Sequence, residues 1–237
     1  MIVGSTKEDL LIEKRVSITL ETAKSIINLG LKVCIEKDYA THIGIKDKEY
    51  EDLGVEIKNT SKDVLNACNL LAKVNCPLDN EINNLKEKSI LIGMLNPSKN
   101  QNKLKEILKK DINIFSLELL PRISRAQSMD VLSSQSNLAG YRSVVDSIYE
   151  FEKAIPMMMT AAGTVPAAKI LIIGAGVAGL QAVATAKRLG AIVSATDVRA
   201  ASKEQVESLG GKFLTVEQAE NLETAGGYAK EASDDFK

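Results

Sequence analysis

The feature that most constrains the fold is a set of three glycines directly after a largely β-branched apolar stretch. Ile170–Ile173 predicts a buried strand, and Gly174, Gly176 and Gly179 follow it with the spacing G-x-G-x-x-G. In a dinucleotide-binding turn the first glycine permits the tight bend, the second lets the pyrophosphate approach the backbone, and the third lets helix and strand pack closely. The spacing therefore predicts a strand–turn–helix unit that binds a dinucleotide.

The residues after this turn complete the pattern. Val177–Leu189 predicts an apolar helix that stops at Gly190, and Ala191–Thr196 predicts a second strand that ends in Asp197. A carboxylate at this position hydrogen-bonds the ribose hydroxyls of NAD(H) and repels the 2′-phosphate of NADP(H). The helix N-terminus offers free N–H groups and the positive end of its dipole to the phosphates. The pattern as a whole favours NAD(H).

Arg199 is the one residue near Asp197 that argues against this choice of nucleotide. Its positive charge comes two residues after the carboxylate, where it would weaken the repulsion of a 2′-phosphate. A solvated loop arginine is the more common arrangement, and we expect it here. The candidate nucleotide-binding residues are Gly174, Gly176, Val177, Ala178, Gly179, Asp197, Val198 and Arg199.

The first 120 residues alternate short apolar runs with amphipathic stretches, which is typical of a parallel sheet with crossover helices. Ser61 is a candidate N-cap for one of these helices. The predicted helices are Thr19–Leu29, Ser61–Ala67 and Lys103–Lys110. The predicted strands are Leu31–Ile35, Leu70–Val74, Ser89–Met94 and Ile112–Phe115.

We predict an α/β protein with two Rossmann-like parallel-sheet domains joined by a long helix. Residues 118–136 are polar and lack a clear period, which is typical of a functional loop at the end of a first domain, residues 1–136. Asn137–Lys153 predicts the connecting helix, assigned to residues 137–155 and ended by Pro156. The second domain takes residues 156–237, and we expect Met157–Met159 to fill its core.

Charged and metal-binding residues argue against several other functions. Lysine and arginine number 30 and aspartate and glutamate 31, and a net charge of −1 gives no reason to expect nucleic acid as a partner. His42 is the only histidine, which excludes a histidine-rich metal site and disfavours a histidine-activated nucleophile. No metal is expected. Cys34, Cys68 and Cys76 are expected to be small buried apolar residues.

Membrane insertion is also not expected from the sequence. The longest uncharged stretch, residues 170–186, has 17 residues, and about 20 apolar residues are needed to span a bilayer. The first nine residues acquire charge too early for a signal peptide. We therefore expect a chain without direct membrane insertion.

Four stretches together resemble one family closely. They read PRISRAQSMDVLSSQSNLAGYRSV, FEKAIPMMMTAAGTVP, GAGVAGLQAVATAKRLGA and ETAGGYAKE. They resemble the NAD(H)-binding domain in the α subunit of the proton-translocating NAD(P) transhydrogenases. The likeness extends along nearly the whole chain and is densest from Glu118 onward.

This resemblance implies an activity, cofactors and partners. In such families the domain passes a hydride from NADH to NADP⁺ held by a partner domain, and a membrane domain couples the transfer to proton translocation. The implied cofactors are NAD(H) on this chain and NADP(H) on the partner domain. A homodimer and a cytoplasmic, peripheral position at the inner membrane are implied as well.

The resemblance also assigns residues to the nicotinamide side of the site. Arg122, Gln127, Asp130 and Ser133 match the family loop that lines the nicotinamide, where Gln127 helps to orient the two nucleotides. Tyr228 matches the tip of a mobile loop that closes over NAD(H). Hydride transfer between two nicotinamides moves no proton to or from a substrate, so a chain with one histidine can support it.

Two other functions stay open. Alanine dehydrogenases have similar segments at Arg15 and Lys73, but Asn75 stands where a lysine is expected and Asn96 where a catalytic histidine is expected. Oxidation of an amine needs a proton acceptor, so this function is disfavoured. The other is a nucleotide-binding module without catalysis, against which the intact loop at residues 122–133 argues.

The second domain is expected to be incomplete. A dinucleotide-binding sheet has about six strands. After Ala168 the sequence predicts only Lys169–Ile173, Ala191–Thr196 and, weakly, Lys212–Val216. We therefore expect a C-terminally truncated chain that binds NAD(H) weakly at best, either as one piece of a split protein or as an inactive remnant.

Overall fold

The structure, a computed structural model, describes residues 1–121 and 123–215. The chain divides into two units, Met1–Met129 and Asp130–Lys237. Arg122 and Tyr228, which the sequence assigns to the nicotinamide side, lie outside the described residues. Within the described part of the chain, no helix is long and apolar enough to cross a membrane.

The first unit is a parallel sheet with crossover helices. Its strands are β1 (Ile2–Ser5), β2 (Lys32–Glu36), β3 (Glu56–Lys58), β4 (Leu70–Ala72), β5 (Ile90–Gly93) and β6 (Asn113–Ser116). Its α-helices are α1 (Leu20–Asn28), α2 (Asp47–Glu51), α3 (Ser61–Ala67), α4 (Asp79–Ile82) and α5 (Gln101–Leu108). The six strands lie in the order β3-β2-β1-β4-β5-β6, and all are parallel. This doubly wound order confirms the predicted Rossmann-like sheet.

Burial on both faces explains why β1 lies at the centre of this sheet. Val3 aligns with Val33 of β2 on one side and with Leu70 of β4 on the other. One apolar core contains Ile35 and Tyr50, and a second contains Leu71. Parallel strands that carry helices on both faces need apolar residues at successive positions, which these segments supply.

The N-cap predicted for α3 is wrong by one residue. Thr60, not Ser61, precedes the helix, and its Oγ1 accepts the N–H of Asp63 at 3.2 Å. The Asp63 carboxylate accepts the N–H of Thr60 in return. Such a reciprocal pair satisfies two backbone donors at once, so it fixes the start of the helix more firmly than a single serine would.

The second unit has a short parallel sheet and a hairpin. Its helices are α6 (Val131–Phe151), α7 (Val177–Arg188) and α8 (Ser202–Ser208). Its strands are β7 (Met158–Thr160), β8 (Gly163–Val165), β9 (Lys169–Ile173), β10 (Ile192–Thr196) and β11 (Lys212–Phe213). The parallel order is β11-β10-β9, and β7 pairs antiparallel with β8. The predicted βαβ pattern around the three glycines is confirmed.

Helix α6 begins earlier and ends earlier than predicted. The sequence predicts its start at Asn137, but Asp130 is the N-cap because its Oδ1 accepts the N–H of Ser133 at 2.9 Å. The helix ends at Phe151, before a left-handed Glu152, rather than at Pro156. Residues 131–136, the last six of the predicted functional loop 118–136, therefore belong to this helix.

The prediction for the methionines is wrong, whereas that for two of the cysteines is confirmed. Met157, Met158 and Met159 are exposed by 62%, 43% and 79%, so the prediction that they fill the core is wrong. Two of them begin the antiparallel strand β7, which lies outside the apolar core of this unit. Cys34 and Cys68 are buried free thiols, as predicted, and Cys76 is half-buried.

Helices α6 and α7 approach each other at a glycine. A Cβ atom on Gly140 would overlap the backbone carbonyl of Ala178. We expect Gly140→Ala to lower the free energy of unfolding, because overpacking costs about 1–3 kcal/mol and exceeds the roughly 1 kcal/mol of helix propensity gained. Glu150→Ala, at an exposed position of the same helix, is the control. Urea unfolding of both variants measures the difference, and a more stable Gly140→Ala protein would contradict the close packing.

Candidate nucleotide site

The turn after β9 has the geometry that its glycines predict. Gly174 has φ +93°, a left-handed conformation that residues with a side chain rarely adopt. Its N–H donates to the carbonyl oxygen of Thr196 at 2.8 Å, which ties the turn to the end of β10. A Cβ on Gly179 would overlap the carbonyl oxygen of Gly174, so α7 packs directly against the turn. Gly174 and Gly179 therefore have the roles predicted for them.

Gly176 leaves space for a ligand at the start of α7. It is the N-cap of this helix, and apart from its neighbours in the chain no described atom lies closer than 3.8 Å to the position of a Cβ on it. Val177 and Ala178 form the first turn of α7, where backbone N–H groups have no partner within the helix. Free N–H groups and the positive end of a helix dipole suit a phosphate group, and Gly176 has no side chain of its own to block its approach. The residues present thus fit the pyrophosphate of a dinucleotide.

Asp197 lies at the end of β10, next to this turn. Its side chain is 6% exposed, and its Oδ2 accepts the N–H of Ala175 at 2.7 Å. Burial opposes ionisation of this carboxyl, but hydrogen bonds from Arg199 and Ala175 outweigh it and lower its pKa. Asp197 is therefore an ionised acceptor that joins the second strand to the glycine-rich turn. Val198 follows it in the loop between β10 and α8.

Arg199 is not the solvated loop residue that the sequence predicts. Its Nε donates to Oδ1 of Asp197 at 2.8 Å, and its Nη2 donates to Oδ2 at 2.9 Å. The side chain is 19% exposed. The prediction is wrong because a carboxylate two residues earlier lies within reach of the guanidinium, and the fork of donors matches its two oxygens.

The predicted nicotinamide-side residues lie in two different units. Gln127 is an exposed residue of a 3-10 helix, Ser124–Met129, in the first unit. Asp130 and Ser133 lie at the start of α6 in the second, where the Asp130 Oδ2 accepts from the Ser133 hydroxyl at 2.6 Å. Asp130 and Ser133 therefore cap a helix in this structure. Their predicted contacts with a nicotinamide, and those of Gln127, stay predictions.

A buried ionic cluster in the first unit was not predicted from the sequence. Lys73 follows β4, and its Nζ lies 3.4 Å from Glu81 and 3.6 Å from Glu8. It also donates to the hydroxyl of Thr6 and the carbonyl of Lys7. Thr6 and Lys73 come directly after β1 and β4, the neighbouring strands between which the chain order of the sheet reverses. Ligands of open α/β sheets bind at this position. The sequence alone did not reveal the cluster, because Thr6 and Lys73 are neighbours only in the strand order of the folded sheet.

Most of the charge in this cluster is compensated internally. Burial raises the pKa of Glu8, while Lys73 opposes that shift. Nearby, Arg15 forms a forked ion pair with Glu13, which also accepts from Asn75 and has its pKa lowered to about 2. Among the described residues, no buried side-chain nitrogen or oxygen lacks a hydrogen-bond partner. These groups therefore hold the loops after β1 and β4 together.

Family models match both halves of the chain. The N-terminal domain of the alanine dehydrogenase/PNT family matches residues 4–139, and its C-terminal domain matches residues 143–232. The chain belongs to the alanine dehydrogenase/PNT family. Membership of this NAD(P)-linked family supports the binding of a pyridine nucleotide.

The transhydrogenase relative is more similar to this chain than the alanine dehydrogenase is. The chain is 50% identical over 232 residues to an NAD(P) transhydrogenase subunit alpha component of Rhodospirillum rubrum, covering 95% of this chain and 60% of that protein. It is 29% identical over 233 residues to alanine dehydrogenase of Methanococcus maripaludis, covering 97% of this chain and 62% of that protein. The resemblance to transhydrogenases is confirmed, and the alanine dehydrogenase is more distant.

A solved structure agrees with the fold. The transhydrogenase from Sinorhizobium meliloti matches with a TM-score of 0.87 and 48% identity, covering 91% of this chain and 64% of that chain. The chain thus spans less than two thirds of the relatives it matches. Because the transhydrogenase relatives are named as alpha subunits, their names imply that they act with other subunits.

Lys73 supplies a test of the buried cluster. We expect Lys73→Met to lower the free energy of unfolding by about 3–5 kcal/mol at neutral pH, since it leaves buried carboxylates without their cation. The loss of unfolding free energy in this variant, relative to the wild type, should be smaller at pH 5 than at pH 8. A carboxyl whose pKa is raised in the folded state binds more protons there, so stability falls as the pH rises.

An exposed ion pair provides the control for this variant. Lys109, paired with Glu106, lies on the surface of the first unit. Lys109→Met should change stability by less than about 1 kcal/mol at either pH. Chemical unfolding at pH 5 and pH 8 gives all four values. A deficit for Lys73→Met that does not grow with pH would show that the carboxylates are not what Lys73 stabilises.

Proposed function

We propose that this chain is the NAD(H)-binding component of a proton-translocating NAD(P) transhydrogenase. The observation that carries the proposal is the hydrogen bond from Ala175 to Asp197, which places an ionised carboxylate beside the glycine-rich turn. The close similarity to the alpha-subunit component of Rhodospirillum rubrum supports it. The hydrogen bond supports the choice of nucleotide and the similarity supports the reaction, so the proposal needs both.

The proposed nucleotide is NAD(H) rather than NADP(H). Gly176 and the N-terminus of α7 would hold the pyrophosphate, and Asp197 would accept hydrogen bonds from the adenosine ribose. Asp197 is ionised, and once Arg199 no longer pairs with it, its negative charge would repel a 2′-phosphate beside it. NADP(H) would then bind to the partner domain.

The proposed reaction requires little acid–base chemistry from this chain. The nicotinamide, when bound, supplies the hydride, and the protein supplies binding, orientation and exclusion of water. Arg122, Gln127, Asp130 and Ser133 are proposed to line the nicotinamide, and Tyr228 to belong to a loop that closes over it. His42, whose Nε2 lies 2.8 Å from the carbonyl oxygen of Lys14, is exposed and is given no role.

The proposed partners follow from the transhydrogenase names. They are an NADP-binding domain and a membrane domain, with the chain on the cytoplasmic side and peripheral at the inner membrane, and with a homodimer as the assembly. Alanine dehydrogenase is the second candidate. Asn96 disfavours it, because an asparagine cannot accept the proton that amine oxidation releases.

Nucleotide binding is the first test. We expect the chain to bind NADH with saturation, followed by nicotinamide fluorescence, and to bind NADPH more weakly. Asp197→Ala should weaken NADH binding by about 1–3 kcal/mol, since it removes charged hydrogen bonds to the ribose. Asp146→Ala, at an exposed ion pair on α6, is the control for loss of a carboxylate. Equal binding of NADH by the Asp197→Ala variant and the wild type would refute this assignment.

Hydride transfer is the second test. With an NADP-binding transhydrogenase subunit added, NADH should reduce an NADP⁺ analogue, and Gln127→Ala should slow the transfer by roughly 10²-fold through misorientation. Gln101→Ala, at an exposed position of α5 in the same unit, should leave the rate unchanged. Alanine-dependent reduction of NAD⁺ would instead identify an alanine dehydrogenase. Binding of NADH with neither reaction would identify a binding module.

A further inference from the structure

The carboxylate of Asp197 has no acceptor position left for a ribose. A carboxylate has about four lone-pair sites, and four donors occupy them here. Oδ1 accepts from the backbone N–H of Arg199 at 2.8 Å and from its Nε at 2.8 Å. Oδ2 accepts from the backbone N–H of Ala175 at 2.7 Å and from Arg199 Nη2 at 2.9 Å. Two ribose hydroxyls could not bind without displacing two of these donors.

The four donors differ in how readily they can leave. The N–H of Ala175 belongs to the glycine-rich turn, which is tied to β10 by the hydrogen bond between Gly174 and Thr196. The N–H of Arg199 belongs to the loop backbone before α8. The two guanidinium donors belong to a flexible side chain that is partly exposed to water. Rotation of the Arg199 side chain would vacate two positions, which is the number that a ribose diol needs.

The same guanidinium also lies over the surface that a pyrophosphate would approach. Apart from atoms of its neighbours in the chain, Nη2 of Arg199 is the only described atom within 4 Å of the position that a Cβ on Gly176 would occupy, at 3.8 Å. Arg199 therefore contacts both regions of the proposed site, the ribose acceptor and the open face of the turn. A nucleotide bound in the proposed manner would meet this side chain first.

We propose that Arg199 is a latch on the nucleotide site, which holds Asp197 when no nucleotide is bound and must release it before the adenosine ribose can bind. This inference rests on the proposed function, since it assumes that the site takes NAD(H). The latch lowers the affinity for NADH, because the ion pair is broken on binding. Once released, the guanidinium lies beside the 2′-position, where a cation favours a 2′-phosphate. Arg199 thus reduces the preference for NADH over NADPH that Asp197 creates.

The direction in which Arg199→Met changes the Kd for NADH tests the latch. Loss of a cation from a site for a polyanion ordinarily weakens binding. We expect the opposite for NADH, a Kd lower by about three- to tenfold, which is the size expected when a partly exposed ion pair no longer has to be broken. The Kd for NADPH should rise or stay the same, so the ratio between the two nucleotides should widen. Nicotinamide fluorescence measures both constants.

Two further variants keep the result interpretable. Arg188→Met removes the same charge at the opposite end of α7 and should leave both constants unchanged. Arg199→Lys keeps the charge but loses the fork of donors, so we expect a Kd for NADH between those of the wild type and Arg199→Met, with NADPH binding retained. Circular dichroism of each variant confirms that it is folded.

The possible failures are distinguishable. If the wild type binds NADH and Arg199→Met weakens NADH binding as much as NADPH binding, Arg199 is an ordinary contact to the nucleotide and the latch is refuted. Unchanged constants for both nucleotides would refute it as well. If neither the wild type nor Arg199→Met binds NADH, the proposed function fails, and this inference fails with it.

Discussion

The contact between Gly179 and the carbonyl of Gly174 sets the position of everything else in the nucleotide site. Because no side chain intervenes, α7 begins directly on the turn that follows β9. Its free N–H groups then face the same edge of the sheet at which β10 ends. Asp197, the first residue after β10, is close enough to accept from Ala175. One close approach of backbone thus brings a helix terminus and a carboxylate to the same place.

The two units use the same parallel architecture to different extents. In the first unit β1 has a partner on each side and its side chains are largely buried. Among the described residues of the second unit, β9 pairs only with β10, and its Leu171 and Ile173 are 57% and 82% exposed. The sequence of β9 is nevertheless as apolar as that of a strand buried on both faces. The prediction that Ile170–Ile173 is a buried strand is therefore wrong for the described residues, because β9 has a neighbouring strand on one side only.

Buried charge has different consequences in the two units. In the first, Lys73 is buried among carboxylates, so the loops after β1 and β4 are held by compensated charges. In the second, Asp197 and Arg199 also compensate each other, but Arg199 is 19% exposed and its Nη2 lies beside the start of α7 at Gly176. A partly exposed ion pair can exchange one partner for a ligand, whereas an enclosed pair cannot without loss of stability.

The local sequence alone determined the strand–turn–helix unit, because glycine spacing, β-branched runs and a terminal carboxylate act over short distances. It located β9 to the residue and α7 to within one residue of its end. It did not reveal the short β1 and β3, which are strands because of their neighbours in the sheet. Nor did it place the start of α6, which depends on the cap formed by Asp130. Only the tertiary structure decided that Lys73 meets Glu8 and Glu81 and that Asp197 accepts from Ala175. Such pairings depend on which strand ends are adjacent and on what each charge can reach once water is excluded.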